Sequence, residues 1–467
     1  MTRLVVFSNR VPLGDKPSGG LVVALNDTMA SRGGLWIGTE TVREGSGNGP
    51  DALIDHPGAT FERLAMGLTP KEHAGYYLGY SNSVLWPLFH GRADLLSVSV
   101  GQFTTYKSVN SRLAELSAPH LRPGDTIWIH DYHLIPLAHE LRKRGVRNPI
   151  GFFLHIPFPA ANGIRALSDN AEFLDWFSAY DLVGLQTQRD VANFIGAFRT
   201  LGRAELLSDG RLRFKNDFIQ VASFPIGIDA TGFRTAAEEA PTLPEITTSA
   251  QKVMIGVDRL DYSKGLPHRL RGFQAFLRDR HVEADRIAFL QIAPPTREDV
   301  QAYKDIRRDL EQLSGEVNGE FGDIGYMPVQ YIHRSIPRER LAGLFRRADI
   351  ALVTPLNDGM NLVAKEFVAA QDEADPGVLI LSRFAGAAEQ LAEGALLINP
   401  YDAASIADGI TRAVTMPLDE RRTRHAAMWS PIARYDNDWW TATFLQSLAR
   451  AAAARRTSES FFAVAGE

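Results

Sequence analysis

Short apolar runs, each followed by a helical pattern, recur along this chain and leave few folds open to it. In the first half they are Leu4–Phe7, Thr126–His130, Ile150–Leu154 and Asp181–Leu185. In the second half they are Val253–Val257, Ile287–Ile292, Ile350–Val353 and Val378–Leu381. Runs this uniformly apolar suit strands buried on both faces, as in parallel sheets lying between helices. Helices are predicted over Asp131–Arg144, Leu266–Arg278, Arg297–Leu313 and Pro337–Arg347. The 467 residues exceed one ordinary core, so two α/β units in series are expected. Asp229–Gln251 has no strand pattern and ends in polar residues, which makes it the predicted boundary between residues 1–228 and 229–436. A helix over about 437–452, rich in Trp and Leu, is expected to pack back on the first unit, with 453–467 as a flexible tail.

Composition narrows the function classes. With 45% hydrophobic and 22% charged residues the chain is globular in character. A net charge of −5 gives no support for nucleic-acid or membrane-surface partners, so any phosphate site must be a local cluster. No cysteine is present, which excludes disulfides, thiolate catalysis and cysteine-ligated metals. The N-terminus reads as a first strand rather than a leader, no window is apolar enough to span a bilayer, and a cytoplasmic location is expected.

Chemistry gathers where strands end. After Ile350–Val353 comes Asp358-Gly-Met-Asn-Leu-Val-Ala-Lys-Glu366, a polar, glycine-containing turn that opens a helix. Free N–H groups and the dipole at a helix start suit an anion such as a diphosphate. Asp358 can cap that helix or hold a sugar hydroxyl, Gly359 admits a ligand close to the backbone, and Glu366 could accept the two hydroxyls of a ribose. After Val253–Val257 comes Arg259-Leu-Asp-Tyr-Ser-Lys-Gly265, whose Arg259 and Lys264 can serve the same diphosphate, one as a fork and one as a point charge. Gln291-Ile-Ala-Pro-Pro-Thr-Arg297 ends a third strand and aims Arg297 into the same crevice.

In the first half, Asp131 follows a strand and can also be read as the N-cap of the next helix. His155 ends another strand before Ile-Pro-Phe-Pro159. Ser8-Asn-Arg10 and Gly19-Gly20 form an early loop, Tyr77 offers an aromatic face, and Trp86 reads equally as sugar platform or core. His130, His133 and His139 lack the His-Glu-x-x-His pattern, and their 3- and 6-residue spacings do not share a face, so no metal is expected.

Taken in order, the blocks SNR at 8–10, SNSVLWP at 81–87, WIHDYHLIPLAHELRKRG at 128–145, GFFLHIPFP at 151–159, RLDYSKGLP at 259–267, QIAP at 291–294, DVQAY at 299–303 and VTPLNDGMNLVAKEFVAAQD at 353–372 closely resemble the retaining trehalose-6-phosphate synthases of the bacterial OtsA type. The resemblance runs almost end to end. It implies the GT-B fold, two Rossmann-like domains with parallel sheets facing an interdomain cleft, the first binding the acceptor and the second the nucleotide sugar. By matching position, Arg259 and Lys264 resemble the pair on the donor diphosphate, joined by the backbone amides of Leu362 and Val363. Glu366 resembles the ribose carboxylate. Asp358, the Gly359-Met360-Asn361 backbone and His155 resemble the holders of the transferred glucose, and Gly20 the early-loop glycine over the donor. Arg10, Tyr77, Trp86, Asp131 and Arg297 match an acceptor pocket for glucose 6-phosphate. Ile336 departs from the family's Phe beside the nucleobase, which leaves uridine, adenine and guanine open.

The reaction implied is transfer of glucose from UDP-glucose to glucose 6-phosphate with retention, without metal or other cofactor, by a homo-oligomer (dimer or tetramer). Two alternatives stand beside it: a sister enzyme of the glucosylglycerol-phosphate synthase type, which would alter the Arg10, Tyr77, Trp86 and Arg297 set, and a catalytically silent sugar-phosphate sensor, which would have lost Arg259, Lys264 or Asp358. A nicotinamide dehydrogenase is disfavoured because no glycine-rich fingerprint follows the first strand.

Overall fold

The computed structural model describes residues 2–12, 20–41, 52–57, 60–240, 252–279 and 287–465. They divide into two compact units, one of Met1–Pro225 with Asn437–Glu467, the other of Ile226–Asp436. Each is built on a largely parallel sheet, and the apolar runs are among its strands. Thr126–His130, Ile287–Ile292 and Ile350–Val353 fall on the expected residues, the last two buried at every position. Burial without alternation follows from helices covering both faces.

In the second unit six strands lie in the order Val329–Ile332, Ile287–Ile292, Lys252–Val257, Ile350–Val353, Val378–Ser382 and Leu396–Ile398. Every pairing is parallel. Numbered within the unit this is 3-2-1-4-5-6, so the chain reverses its winding between Lys252–Val257 and Ile350–Val353. At such a switch point the connections leave in opposite directions and open a crevice beyond the strand C-termini. The loops that leave these two strands are Asp258–Gly265 and Thr354–Asn361, the two stretches singled out above.

The first unit repeats the plan with additions. From one edge its order is Leu53–Asp55, Glu62–Leu68, Leu35–Thr41, Leu4–Arg10, Thr126–His130, Ile150–Phe153, Leu182–Leu185, Asp217–Ser223, Leu212–Phe214 and Glu205–Leu206. The outer strands at both ends pair antiparallel and the rest parallel. Its switch point lies between Leu4–Arg10 and Thr126–His130. Gly33 and Gly34 have φ of +69° and +123°, and a Cβ on Gly34 would stand 2.2 Å from the Leu4 carbonyl oxygen. They form the tight entry to Leu35–Thr41.

The last helix, Asn437–Ala465, completes the first unit and continues past the end expected near Ala452. Trp440 packs tilted against Trp128 at 4.7 Å between ring centroids, and Phe444 stacks on it at 4.6 Å. The Phe444 ring is admitted by two glycines in the sheet: a Cβ on Gly151 or Gly184 would lie 2.8 or 2.6 Å from it. Asp229–Gln251 also differs from expectation. Asp229 accepts the Gly232 N–H at 2.8 Å and caps a helix over Ala230–Glu239, while 241–251 lie outside the described residues. A short amphipathic helix lacking strand residues leaves the same signature as a linker. Among the described residues no helix is long and apolar enough to cross a membrane.

Candidate active site

The second unit's two switch loops are bound to each other through the backbone. Leu356 N–H donates to the Ser263 carbonyl at 2.8 Å. Gly265 has φ +66°, and a Cβ there would stand 2.2 Å from the Thr354 carbonyl oxygen, so the approach of the loops requires glycine. Across this seam Lys264 Nζ donates to Asp358 Oδ2 at 2.5 Å, with both side chains nearly enclosed. Asn361 holds φ +72°, donates to Asp358 Oδ2 at 3.1 Å and to Asp258 Oδ1 at 3.3 Å, and accepts the Ala364 N–H at 3.4 Å. The cap of helix Leu362–Ala370 is therefore Asn361, while Asp358 accepts the Gly359 N–H at 3.0 Å and braces the turn before it. Leu362 and Val363 start the helix in half-buried positions, Met360 is buried beneath, and Arg259 is exposed at the mouth of its loop.

Beneath the seam lies a residue the sequence reading passed over. Arg269, wholly buried on helix Leu266–Arg278, donates from Nη2 to Asp258 Oδ2 at 2.6 Å, from Nε to Thr354 Oγ1 at 2.9 Å and from Nη1 to Gln291 Oε1 at 3.1 Å. It ties the ends of three strands together. A Cβ on Gly256 would lie 2.5 Å from its Nη1, so the strand carries glycine there. An apolar helix face interrupted by one Arg, opposite a Gly in a buried strand, is the signal that could have exposed it.

Arg297 occupies a left-handed turn, φ +47°, ahead of a helix that begins at Gln301 rather than at Arg297 itself. Its Nη1 donates to Asp261 Oδ2 at 3.2 Å and to Tyr303 Oη at 2.5 Å, and its side chain is only 4% exposed. Tyr303 Oη also donates to Asp261 Oδ2, at 2.9 Å. Glu366 is half-buried on helix Leu362–Ala370, and burial pushes its carboxyl up to about 7 against the pull of Arg338. The neighbouring Lys365 is enclosed, donates to the Ile226 carbonyl at 2.7 Å, and is pushed down to about 7 by the same cause. Ile336 is half-buried in the loop after edge strand Val329–Ile332.

The first unit's switch point is made of rings. Ser8 accepts from Trp36 Nε1 at 2.8 Å and donates to the Arg10 carbonyl at 2.7 Å, and Asn9 accepts from Tyr76 Oη at 3.1 Å. These bonds fix the strand end that delivers Arg10, whose guanidinium lies 5.1 Å from the Tyr77 ring centroid. Tyr77 stacks in turn on His133 at 5.7 Å and on His73 at 5.1 Å. It rides on a π-helix, His73–Leu85, that the sequence reading did not foresee. The wide turns are held by Asn82 Nδ2 on the Tyr77 carbonyl and Ser83 Oγ on the Leu78 carbonyl, both at 2.7 Å, so these polar groups support backbone. Trp86 is 3% exposed and packs on His90 at 4.1 Å and Tyr132 at 5.7 Å.

Asp131 does not cap a regular helix. Its φ is +74°, it makes no side-chain cap bond, and a 3₁₀ turn, Tyr132–Leu134, separates it from the helix Leu137–Lys143. The unusual backbone aims its carboxylate at the next strand's end, where Oδ1 accepts the His155 N–H at 3.3 Å. His155 Nε2 lies 3.1 Å from His130 Nδ1, and burial drives the His155 ring down to about 3 and His130 well below its ordinary value. Gly20 opens helix Gly20–Arg32, and the early loop at 13–19 lies outside the described residues. Among the described residues no group of three or more His, Cys, Asp or Glu is placed to hold a metal ion.

Two Rossmann-like units in series, the second with lysine, aspartate and a free helix start at its switch point, define a GT-B glycosyltransferase. The chain belongs to glycosyltransferase family 20, whose profile matches residues 8–450. It is 43% identical over 455 residues to the trehalose-6-phosphate synthase of Klebsiella pneumoniae, covering 96% of this chain and 95% of that one. Among solved structures, the Burkholderia xenovorans UDP-forming alpha,alpha-trehalose-phosphate synthase in complex with glucose-6-phosphate is similar at TM-score 0.90 and 40% identity, covering 96% and 100%. An Escherichia coli structure bound with UDP-2-fluoro glucose is similar at TM-score 0.90 and 42% identity, covering 96% and 99%.

Proposed function

We propose that this enzyme transfers glucose from UDP-glucose to glucose 6-phosphate with retention, giving α,α-trehalose 6-phosphate and UDP. The observation that carries the reading is the seam of the second unit: Lys264 on Asp358, beside the start of helix Leu362–Ala370. Lys264, Arg259 and the Leu362 and Val363 amides take the diphosphate, Glu366 the ribose, and Ile336 borders the base. Asp358, with the Gly359-Met360-Asn361 backbone, and His155 hold the glucose, and Gly20 meets the donor from its helix start. Arg10, Tyr77, Trp86, Asp131 and Arg297 take the acceptor. As the bond from C1 to the diphosphate breaks, a bond from C1 to the acceptor's anomeric hydroxyl oxygen forms on the same face. The hydroxyl proton passes to the departing diphosphate oxygen, so no protein nucleophile is used. Charge growing on the leaving group is met by fixed donors, each contributing about 3–4 kcal/mol on the scale of oxyanion holes.

An activity matrix of UDP-, ADP- and GDP-glucose against glucose 6-phosphate, glucose and glycerol 3-phosphate tests the reading. Turnover confined to glycerol 3-phosphate, or absent throughout, defeats it. In the same proposal Arg259 and Lys264 replace a divalent ion, so activity survives exhaustive EDTA; loss restored by Mg²⁺ or Mn²⁺ would show that charge neutralisation lies elsewhere. A homo-oligomer, dimer or tetramer, and a cytoplasmic location complete the proposal, the first open to light scattering and the second to cell fractionation.

A further inference from the structure

His130, the last residue of strand Thr126–His130, is fully buried. Trp128 and Trp440 pack against it at 4.5 and 6.1 Å between ring centroids. One ring nitrogen, Nδ1, lies 3.1 Å from His155 Nε2, and the other, Nε2, is buried without a hydrogen-bond partner. His155 is the complement. It is half-buried, its backbone N–H is on Asp131, and its Nδ1 stays accessible with no partner among the described residues.

Two neutral rings at this distance share one hydrogen. Were it to belong to His155 Nε2, His130 would have to carry its own proton on Nε2, as an orphaned N–H in an aromatic pocket. Were it to belong to His130 Nδ1, the only buried unmatched atom would be the His130 Nε2 lone pair. Orphaned buried donors are the rarer defect in folded proteins. That penalty outweighs the slight preference of a free imidazole for holding its proton on Nε2.

We propose that His130 is a positioning residue: it donates from Nδ1 to His155 Nε2, fixes the His155 ring, and so makes His155 Nδ1–H a hydrogen-bond donor toward an oxygen of the transferred sugar. This rests on the assignment of His155 to glucose given above. Both rings being pushed far below the ordinary histidine range keeps the pair neutral, so the arrangement holds across physiological pH.

The tautomer is read directly by nitrogen NMR of the full-length protein labelled with ¹⁵N-histidine. His155 should show a pyrrole-type Nδ1 and a pyridine-type Nε2; the reverse pattern overturns the proposal. Two variants add a kinetic reading. In His130→Asn the amide nitrogen replaces Nδ1 nearly atom for atom, whereas His130→Leu deletes the donor. The leucine variant should lose roughly three- to tenfold in kcat/KM, the equivalent of one neutral hydrogen bond, and the asparagine variant should recover to within about twofold of the parent. Equal loss in both, with unchanged circular dichroism and Tm, also overturns it. Should His155→Ala keep full activity while the parent shows the expected tautomer, the assignment of His155 to glucose fails and the His130 hydrogen bond stands.

Discussion

At the second unit's switch point cationic side chains meet carboxylates: Lys264 on Asp358, Arg269 on Asp258, Arg297 on Asp261. At the first unit's switch point, a similar place in a similar sheet, neutral rings do the packing, and the cation Arg10 rests on the face of Tyr77. A crevice that must receive a diphosphate needs positive groups that stay put when it is empty, and ion pairs hold them there. A crevice that must grip a sugar ring needs flat, dry surfaces and a few directed polar atoms. On the proposed assignment, one parallel-sheet plan serves two chemistries through the loops beyond its strands.

The sharpest way to break this contrast is to remove a charge from under the second switch point. Arg269→Ala leaves Asp258 buried and uncompensated, so unfolding should become easier by about 3–5 kcal/mol, read from denaturant titration. A value near zero would mean the ion pairs do not hold the seam. Next, Lys264→Ala should lower kcat by about 10²–10³ and do more harm than Arg259→Ala, because it also strips Asp358 of its cation and leaves an uncompensated carboxylate facing the diphosphate. Equal losses would place the two cations on the diphosphate independently. Arg10→Ala should instead raise KM for glucose 6-phosphate by roughly 10–100-fold, with UDP affinity by calorimetry nearly unchanged. If it weakens UDP as much, the division of labour between the units fails.

The smallest effect concerns pH. On the proposed assignment, the Glu366 carboxyl, held up to about 7 by burial, accepts both ribose hydroxyls when ionised and loses one of its two acceptor oxygens to a proton below that value. UDP affinity should therefore fall about tenfold per pH unit below 7, and Glu366→Gln should remove that slope. The sign for stability is opposite. A carboxyl whose folded value lies above its ordinary one stabilises the unliganded fold at low pH and loses that contribution as pH rises through 7. A UDP titration curve flat from pH 6 to 8 would show that the ribose does not rest on this carboxylate.

The apolar runs were legible as strands to within three residues because uniform burial writes itself locally, and the loops that follow them could be named for the same reason. Leu35–Thr41, Glu62–Leu68, Asp217–Ser223 and Val329–Ile332, each with partly exposed positions, left no such run and were missed. Pairs were not. Nothing within either loop announces that Lys264 meets Asp358, or that Arg269 reaches Asp258, Thr354 and Gln291 at once, because sheet order decides which strand ends are neighbours. Asp131 looked like a helix cap because its sequence neighbours are those of a cap; its left-handed φ is set by the strand beside it. The π-helix under Tyr77 was hidden because it replaces side-chain periodicity with wider backbone turns.

The glycines that receive Phe444 bear on how the chain is made. Residues 437–465 leave the ribosome after the whole of 226–436, yet their rings cover Trp128, Phe153 and the bare strip at Gly151 and Gly184. Until then that face of the early sheet is exposed, while the later-made unit already has all its strands. Vectorial folding should therefore finish in reverse order of synthesis, with the first-made half the last to close and the one most in need of chaperone cover.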